Sequence, residues 1–115
     1  MVPLPNYLKM FRKQSGLSQP ELARLLGCKE GSKVSRYERG GRYPSFDTLL
    51  AYEIVFREAT PKLFEGESQH ARNEIRQRAR ALSRELDSKE PFTAAVKKKM
   101  AFLSELINPP DTTRP

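Results

Sequence analysis

Five basic side chains stand between Gly27 and Tyr43: Lys29, Lys33, Arg36, Arg39 and Arg42. They face two acids, Glu30 and Glu38, for a local balance of +3. The bulky apolar residues among them, Val34 and Tyr37, lie three apart and share one face of a helix. Ser32, Lys33, Ser35, Arg36 and Arg39 are left facing outward. A short rod with an apolar underside and guanidinium, ammonium and hydroxyl donors above is equipped to grip a polyanion. It is not equipped to make or break bonds. Elsewhere the chain offers no nucleophile with its base, paired carboxylates, phosphate loop or metal-ligand cluster, so no enzyme is read and no cofactor is expected. One cysteine, Cys28, excludes an internal disulfide and a cysteine-based zinc site, and the single His70 cannot hold a metal alone.

The 115 residues suffice for one small domain plus an extra element. Hydrophobic residues make up 37% and charged residues 30%, the pattern of a soluble chain with a modest core. No apolar run approaches the ~18 residues of a membrane span, so no membrane partner is expected. "MVPLPNYLKM" has no long apolar stretch and no small-residue cleavage site, so no signal peptide is read and a cytoplasmic home is the default. The net charge of +7 favours nucleic acid or acidic surfaces, but the clustering after Gly27 is more informative than the total.

The elements that must position this rod read as all-α. Two prolines make Val2-Pro3-Leu4-Pro5 an extended arm. Asn6 caps a first helix that buries Leu8 and Phe11 and ends at Gly16. Ser18 caps the second, with Pro20 in the first turn and Glu21 three residues after the cap, and Gly27 ends it. "CKEGS" connects to a third helix over about Ser32 to Arg39, stopped by Gly40-Gly41. Ser45 caps a fourth helix through about Phe56, with Phe46, Leu49, Leu50, Tyr52 and Val55 as its apolar candidates. Thr60 as cap and Pro61 in the first turn open a short fifth helix ending near Phe64-Glu65-Gly66. A charged helix then runs to about Asp87, with a narrow seam of Ile75, Ala79, Leu82 and Leu86. Pro91 breaks it. A last helix from Phe92 to Ile107 aligns Phe92, Val96, Met100, Leu103 and Ile107. The domains expected are therefore 6–66, with five helices, 67–107, with two, and a frayed tail over 108–115.

"LKMFRKQSGLSQPELARLLG", followed by "KVSRYERGGRYPS", resembles the DNA-binding domain of the Cro and phage-repressor (XRE-like) family of helix-turn-helix regulators. The features that coincide are Arg12, Gly16 to Gln19, Ala23, Gly27, Val34 to Glu38, Gly40, Arg42 and Pro44. The resemblance covers about Asn6 to Gly66. It implies that the third helix enters the major groove while the second crosses the backbone. Arg36 is the first choice for base reading, because its fork suits guanine O6 and N7, with Ser32, Lys33 and Ser35 next. Gln19 is expected to grip a phosphate, and Arg39, Arg42 and Tyr43 to meet the backbone. Arg12 and Glu38 are read as a structural bridge between the first helix and the end of the third, and Tyr37 as core. The turn departs from the family pattern. Gly27 to Val34 is one residue longer than the commonest spacing, and Gly31 stands where many relatives carry a polar base-contacting side chain.

Blander readings are preferred elsewhere. Cys28 is semi-buried packing. Arg72, Arg76, Arg78, Arg80 and Arg84 form a solvated face, partly balanced by Glu74, Glu85 and Asp87, and Lys97 to Lys99 face solvent. His70 is exposed and without a partner. The seam of Ile75, Ala79, Leu82 and Leu86 folds on Phe92, Val96 and Leu103 as a hairpin that completes a dimer interface. The function expected is a sequence-specific double-stranded DNA-binding transcriptional regulator, most simply a repressor, binding as a homodimer to half-sites about 34 Å apart. The alternative is an antitoxin-type interaction protein that binds a protein partner through its C-terminal helices and represses its own operon. RNA is disfavoured, for want of exposed aromatics that would stack on bases.

Overall fold

The computed structural model describes residues 6–88 and 92–109. The chain divides into two compact units, 1–69 and 70–115. The fold is all-helical: among the described residues there are helices and connections but no strand. The expected arm over 2–5, the break at Pro91 and the end of the tail lie outside the described residues.

In the first unit, α1 (Leu8–Ser15), α2 (Gln19–Leu26), α3 (Gly31–Arg39), α4 (Phe46–Phe56) and α5 (Thr60–Leu63) enclose one core. Leu8, Leu22, Val34, Tyr52 and Leu63 are its fully buried side chains, joined by Ala23, Leu26, Tyr37 and Phe64. The bounds follow local chemistry. The N-cap of α1 is Tyr7 rather than the expected Asn6, which stands one residue earlier and accepts from the Leu8 amide through Oδ1 at 3.1 Å. Ser18 and Glu21 exchange side-chain and backbone bonds in a complete capping box. Ser45 accepts from Thr48 N at the start of α4. Gly16, Gly27 and Gly40 end the first three helices in the left-handed conformation, where a Cβ is penalised.

Tyr52 is the centre of the aromatic packing. Its ring meets Tyr37 edge-on at 6.2 Å and Phe56 at 5.8 Å, and Phe56 stacks on Phe11 at 5.8 Å. Its hydroxyl is buried and has no hydrogen-bond partner. Burial, reinforced by the charge of Glu38, pushes the phenol far above its ordinary range.

The structure departs from the sequence reading in several places. Helix α3 begins at Gly31 rather than Ser32. Phe46 and Leu50 are exposed, because α4 turns Leu49, Tyr52, Val55 and Phe56 to the core and its opposite side to solvent. Thr60 does not cap α5. It is the first helical residue after Ala59, and both its amide and its hydroxyl donate to Glu53 Oε2, at 2.6 and 2.8 Å. Helix α5 ends at Leu63 with Phe64 as its C-cap, at the start of the expected stretch, while Gly66 lies within the next helix, α6 (Glu65–Asp87), where Ser68 N donates to Phe64 O.

In the second unit, α6 and α7 (Ala94–Ile107) form a hairpin. Ala79 and Leu86 pack with Leu103, flanked by Val96, Met100 and Ile107. Ser83 Oγ lies 3.7 Å from Met100 Sδ. Ile75 and Leu82, expected in the seam, are exposed. Phe92 is exposed too and precedes α7, which Thr93 caps through Val96 N. A single pair of helices has one mutual stripe, so a 4-3-4 seam is only half covered. His70 is not without a partner. It pairs with Glu74 at 3.0 Å, and Glu74 also accepts from Arg78 at 2.9 Å.

Two outcomes follow from these packing details. Tyr52→Phe removes an unsatisfied buried hydroxyl while keeping the ring, so it should raise stability by about 1 kcal/mol in urea unfolding. The bonds from Thr60, its amide first, hold the Glu53 carboxyl below the ordinary glutamate value. Their contribution is present above that value and lost as pH falls through the lowered one. Thermal unfolding across the acid range should therefore show a shallower decline for Glu53→Gln, which starts from a lower Tm at neutral pH.

Candidate nucleic-acid interface

The interface is built around α3, whose sequence leaves few ways to orient it. Val34 and Tyr37 are buried, so Ser32, Lys33, Arg36 and Arg39 stand exposed and Ser35 half-buried. Gly40 stops the helix, and Gly41 N returns to Arg36 O at 2.9 Å. Arg42 and Tyr43 follow on the exposed segment before α4. Lys33, Arg36, Arg39 and Arg42 make no ion pair among the described residues, so their donors are available to a ligand.

The end of α3 is pinned by one carboxylate. Arg12 Nε donates to Glu38 Oε2 at 2.6 Å and Arg12 Nη2 to Oε1 at 3.2 Å. Gln19 Nε2 donates to the same Oε1 at 3.1 Å. Arg12 Nη1 reaches the Leu17 carbonyl at 3.1 Å. The Glu38 side chain is 3% exposed and that of Arg12 11%. The bond to Glu38 holds the Arg12 guanidinium more firmly protonated than usual. Asn6 adds a bond from Nδ2 to the Tyr37 carbonyl at 3.2 Å. One buried acid thus joins α1, the start of α2 and α3.

The other end of α3 is placed by close approach. A Cβ on Gly31 would lie 3.0 Å from Pro20 N and 3.2 Å from its ring carbons. The first turns of α2 and α3 therefore touch, and glycine is the residue that permits it. Cys28 N donates to the Ala23 carbonyl at 2.8 Å, and the half-buried Cys28 packs against the core. Ser32 Oγ donates to Glu30 Oε2 at 3.1 Å.

Some residues singled out in the sequence carry bonds it did not reveal. The Gln19 amide is engaged by Glu38, so a phosphate gripped by Gln19 must share or replace that bond. The Tyr43 hydroxyl donates to Glu67 Oε1 at 2.6 Å, which lifts the phenol above its ordinary range and sets an acid beside it. Tyr43 is thus less suited to meet a phosphate than the sequence implied. Lys29, counted in the basic stretch but given no role, lines a cleft of about 570 Å³ with Lys33, Arg42, Tyr37, Ser45 and Thr48. Only the fold brings the turn, α3 and the start of α4 together there. Among the described residues no cluster of His, Cys, Asp or Glu is arranged to hold a metal, and no helix is long and apolar enough to cross a membrane.

Residues 4–52 match the family model described as a helix-turn-helix domain. That segment of the chain is a helix-turn-helix domain, in keeping with the resemblance to Cro and phage repressors, and it points to a DNA-binding regulator. No match was found among curated proteins, and none among solved structures.

Removing Arg12 leaves Glu38 a buried charge held by Gln19 alone. Arg12→Met should lower unfolding free energy by about 3 kcal/mol, and Arg12→Met/Glu38→Gln should recover part of that loss in the same urea titration. Equal losses in the single and double variants would mean that packing, not charge, sets the effect.

Proposed function

We propose that this protein is a sequence-specific double-stranded DNA-binding transcriptional regulator, most simply a repressor, that binds a two-fold operator as a dimer. The observation that carries the reading is the orientation of α3. Its apolar pair is buried, and its cations, free of ion pairs among the described residues, face outward with Ser32 on a helix fixed at both ends. An α-helix fits the major groove, and a rigid one keeps its donors in register with base edges. Arg36 reads a guanine, with Ser32, Lys33 and Ser35 beside it. Gln19, Arg39 and Arg42 meet phosphates, and Lys29 joins them from the cleft. Affinity then comes from phosphate neutralisation and falls steeply with salt. Specificity comes from the few side chains that reach base edges.

A second reading has its own observation. The hairpin of α6 and α7 carries an apolar groove of about 780 Å³ whose lining includes Leu82, Leu86, Ala95, Phe102 and Leu103. Such a groove accepts an amphipathic helix of another protein. An antitoxin-type regulator that captures its partner there while repressing its own operon satisfies both surfaces.

The two kinds of contact separate by mutation. In binding titrations against an operator found by footprinting, Arg36→Ala should lose about 1–3 kcal/mol and relax preference at a single base position. Arg39→Ala should weaken binding to all sequences alike and reduce the salt slope by about one. Wild-type affinity in both variants would remove α3 from the groove.

A further inference from the structure

Helix α4 is apolar on both sides. Its inner side supplies Tyr52 and the flanking Leu49, Val55 and Phe56 to the core. Its outer side carries Phe46, Leu50 and Ile54, which are 73%, 42% and 75% exposed. These three recur every four residues and form one straight ridge about 12 Å long. A helix that is hydrophobic all round belongs in an interior, and a surface helix has no reason to keep such a ridge in water.

The ends of the ridge say what covers it. Asp47 lies in the first turn of α4 and Arg57 at its C-cap, both exposed, and neither makes an ion pair among the described residues. Arg57 is also the one described non-glycine residue at positive φ, at 57°. The first three helices meet the same requirement with glycine.

We propose that α4 pairs antiparallel with α4 of a second copy of this chain. The contact rests on the reading of the protein as a two-fold operator binder for its purpose, though not for its existence. A two-fold axis at Leu50 sets Leu50 on Leu50 and Phe46 on Ile54 of the other copy. The Asp47 end of each helix comes beside the Arg57 end of its mate. The interface is isologous, as a closed dimer requires. Ridges with a four-residue repeat interdigitate well with their own kind. A patch of a few hundred Å² per copy falls below the ~800 Å² per partner of a stable complex. The dimer is therefore a weak one, completed when two copies occupy adjacent half-sites.

The test is sedimentation equilibrium of the full chain without DNA. The wild type should show reversible, concentration-dependent dimers. Ile54→Lys changes an exposed side chain, so helix content and Tm should hold while the dimer weakens by about ten-fold or more. Asp47→Arg and Arg57→Asp should each weaken self-association, but mixed one to one they should dimerise again, because every acid then faces a base. Wild-type association in Ile54→Lys, a wild type that stays monomeric at all concentrations, or a mixture that stays monomeric would each overturn the pairing. Because no DNA is present, that result is separate from any failure of the DNA-binding reading. On a two-half-site duplex Ile54→Lys should lose cooperativity and keep its affinity for a single half-site.

Discussion

The seat of α3 depends on a single buried carboxylate. Glu38 receives Arg12 through two nitrogens and Gln19 through a third, at distances of 2.6 to 3.2 Å. Its position at the end of α3 means that α1 and the start of α2 are referred to the same point. A buried ion pair contributes little net stability over well-packed hydrophobic residues, but it fixes geometry, because any misalignment leaves a charge uncompensated. For α3, whose cationic side chains stand exposed, that constraint sets where they are held. Gln19 belongs to the same hub, so the start of α2 is tied to the seat of α3 through one carboxylate oxygen.

Around the hub, the unit is stiffened by contacts that leave little slack. Gly31 lets the first turns of α2 and α3 meet at backbone distance. The ring cluster of Phe11, Tyr37, Tyr52 and Phe56 runs between α1, α3 and α4. Helix α3 begins at Gly31, and that glycine packs on Pro20. The surface of α3 therefore carries small side chains at its start and arginines towards its end.

The two units manage apolar surface differently. In the first, the core is closed and the exposed ridge of α4 is a separate feature on its far side. In the second, two helices share a narrow stripe and leave the rest of their apolar residues outside, with Phe102 among them.

Much of the fold was legible before any coordinates. Ser18 with Glu21, Ser45, Gly16, Gly27 and Gly40 mark helix ends by chemistry that acts within four residues, and local signals survive whatever the tertiary context. The three-residue spacing of Val34 and Tyr37 likewise determined which side chains of α3 face outward. Other features depend on residues far apart in the chain, and no local pattern encodes them. Phe46 and Leu50 look like core in a helix that is apolar all round, and only packing chose which side is inside. Thr60 looks like a cap until Glu53 claims its donors, and the bond from the Tyr43 hydroxyl to Glu67 has no local sign in the sequence. By itself the sequence settled the helices, their ends and the outward face of α3, because short-range periodicity and capping decide these. The tertiary structure alone decided the Gln19–Glu38 bond, the Gly31–Pro20 contact and the bare ridge of α4, because each depends on where a second helix comes to rest.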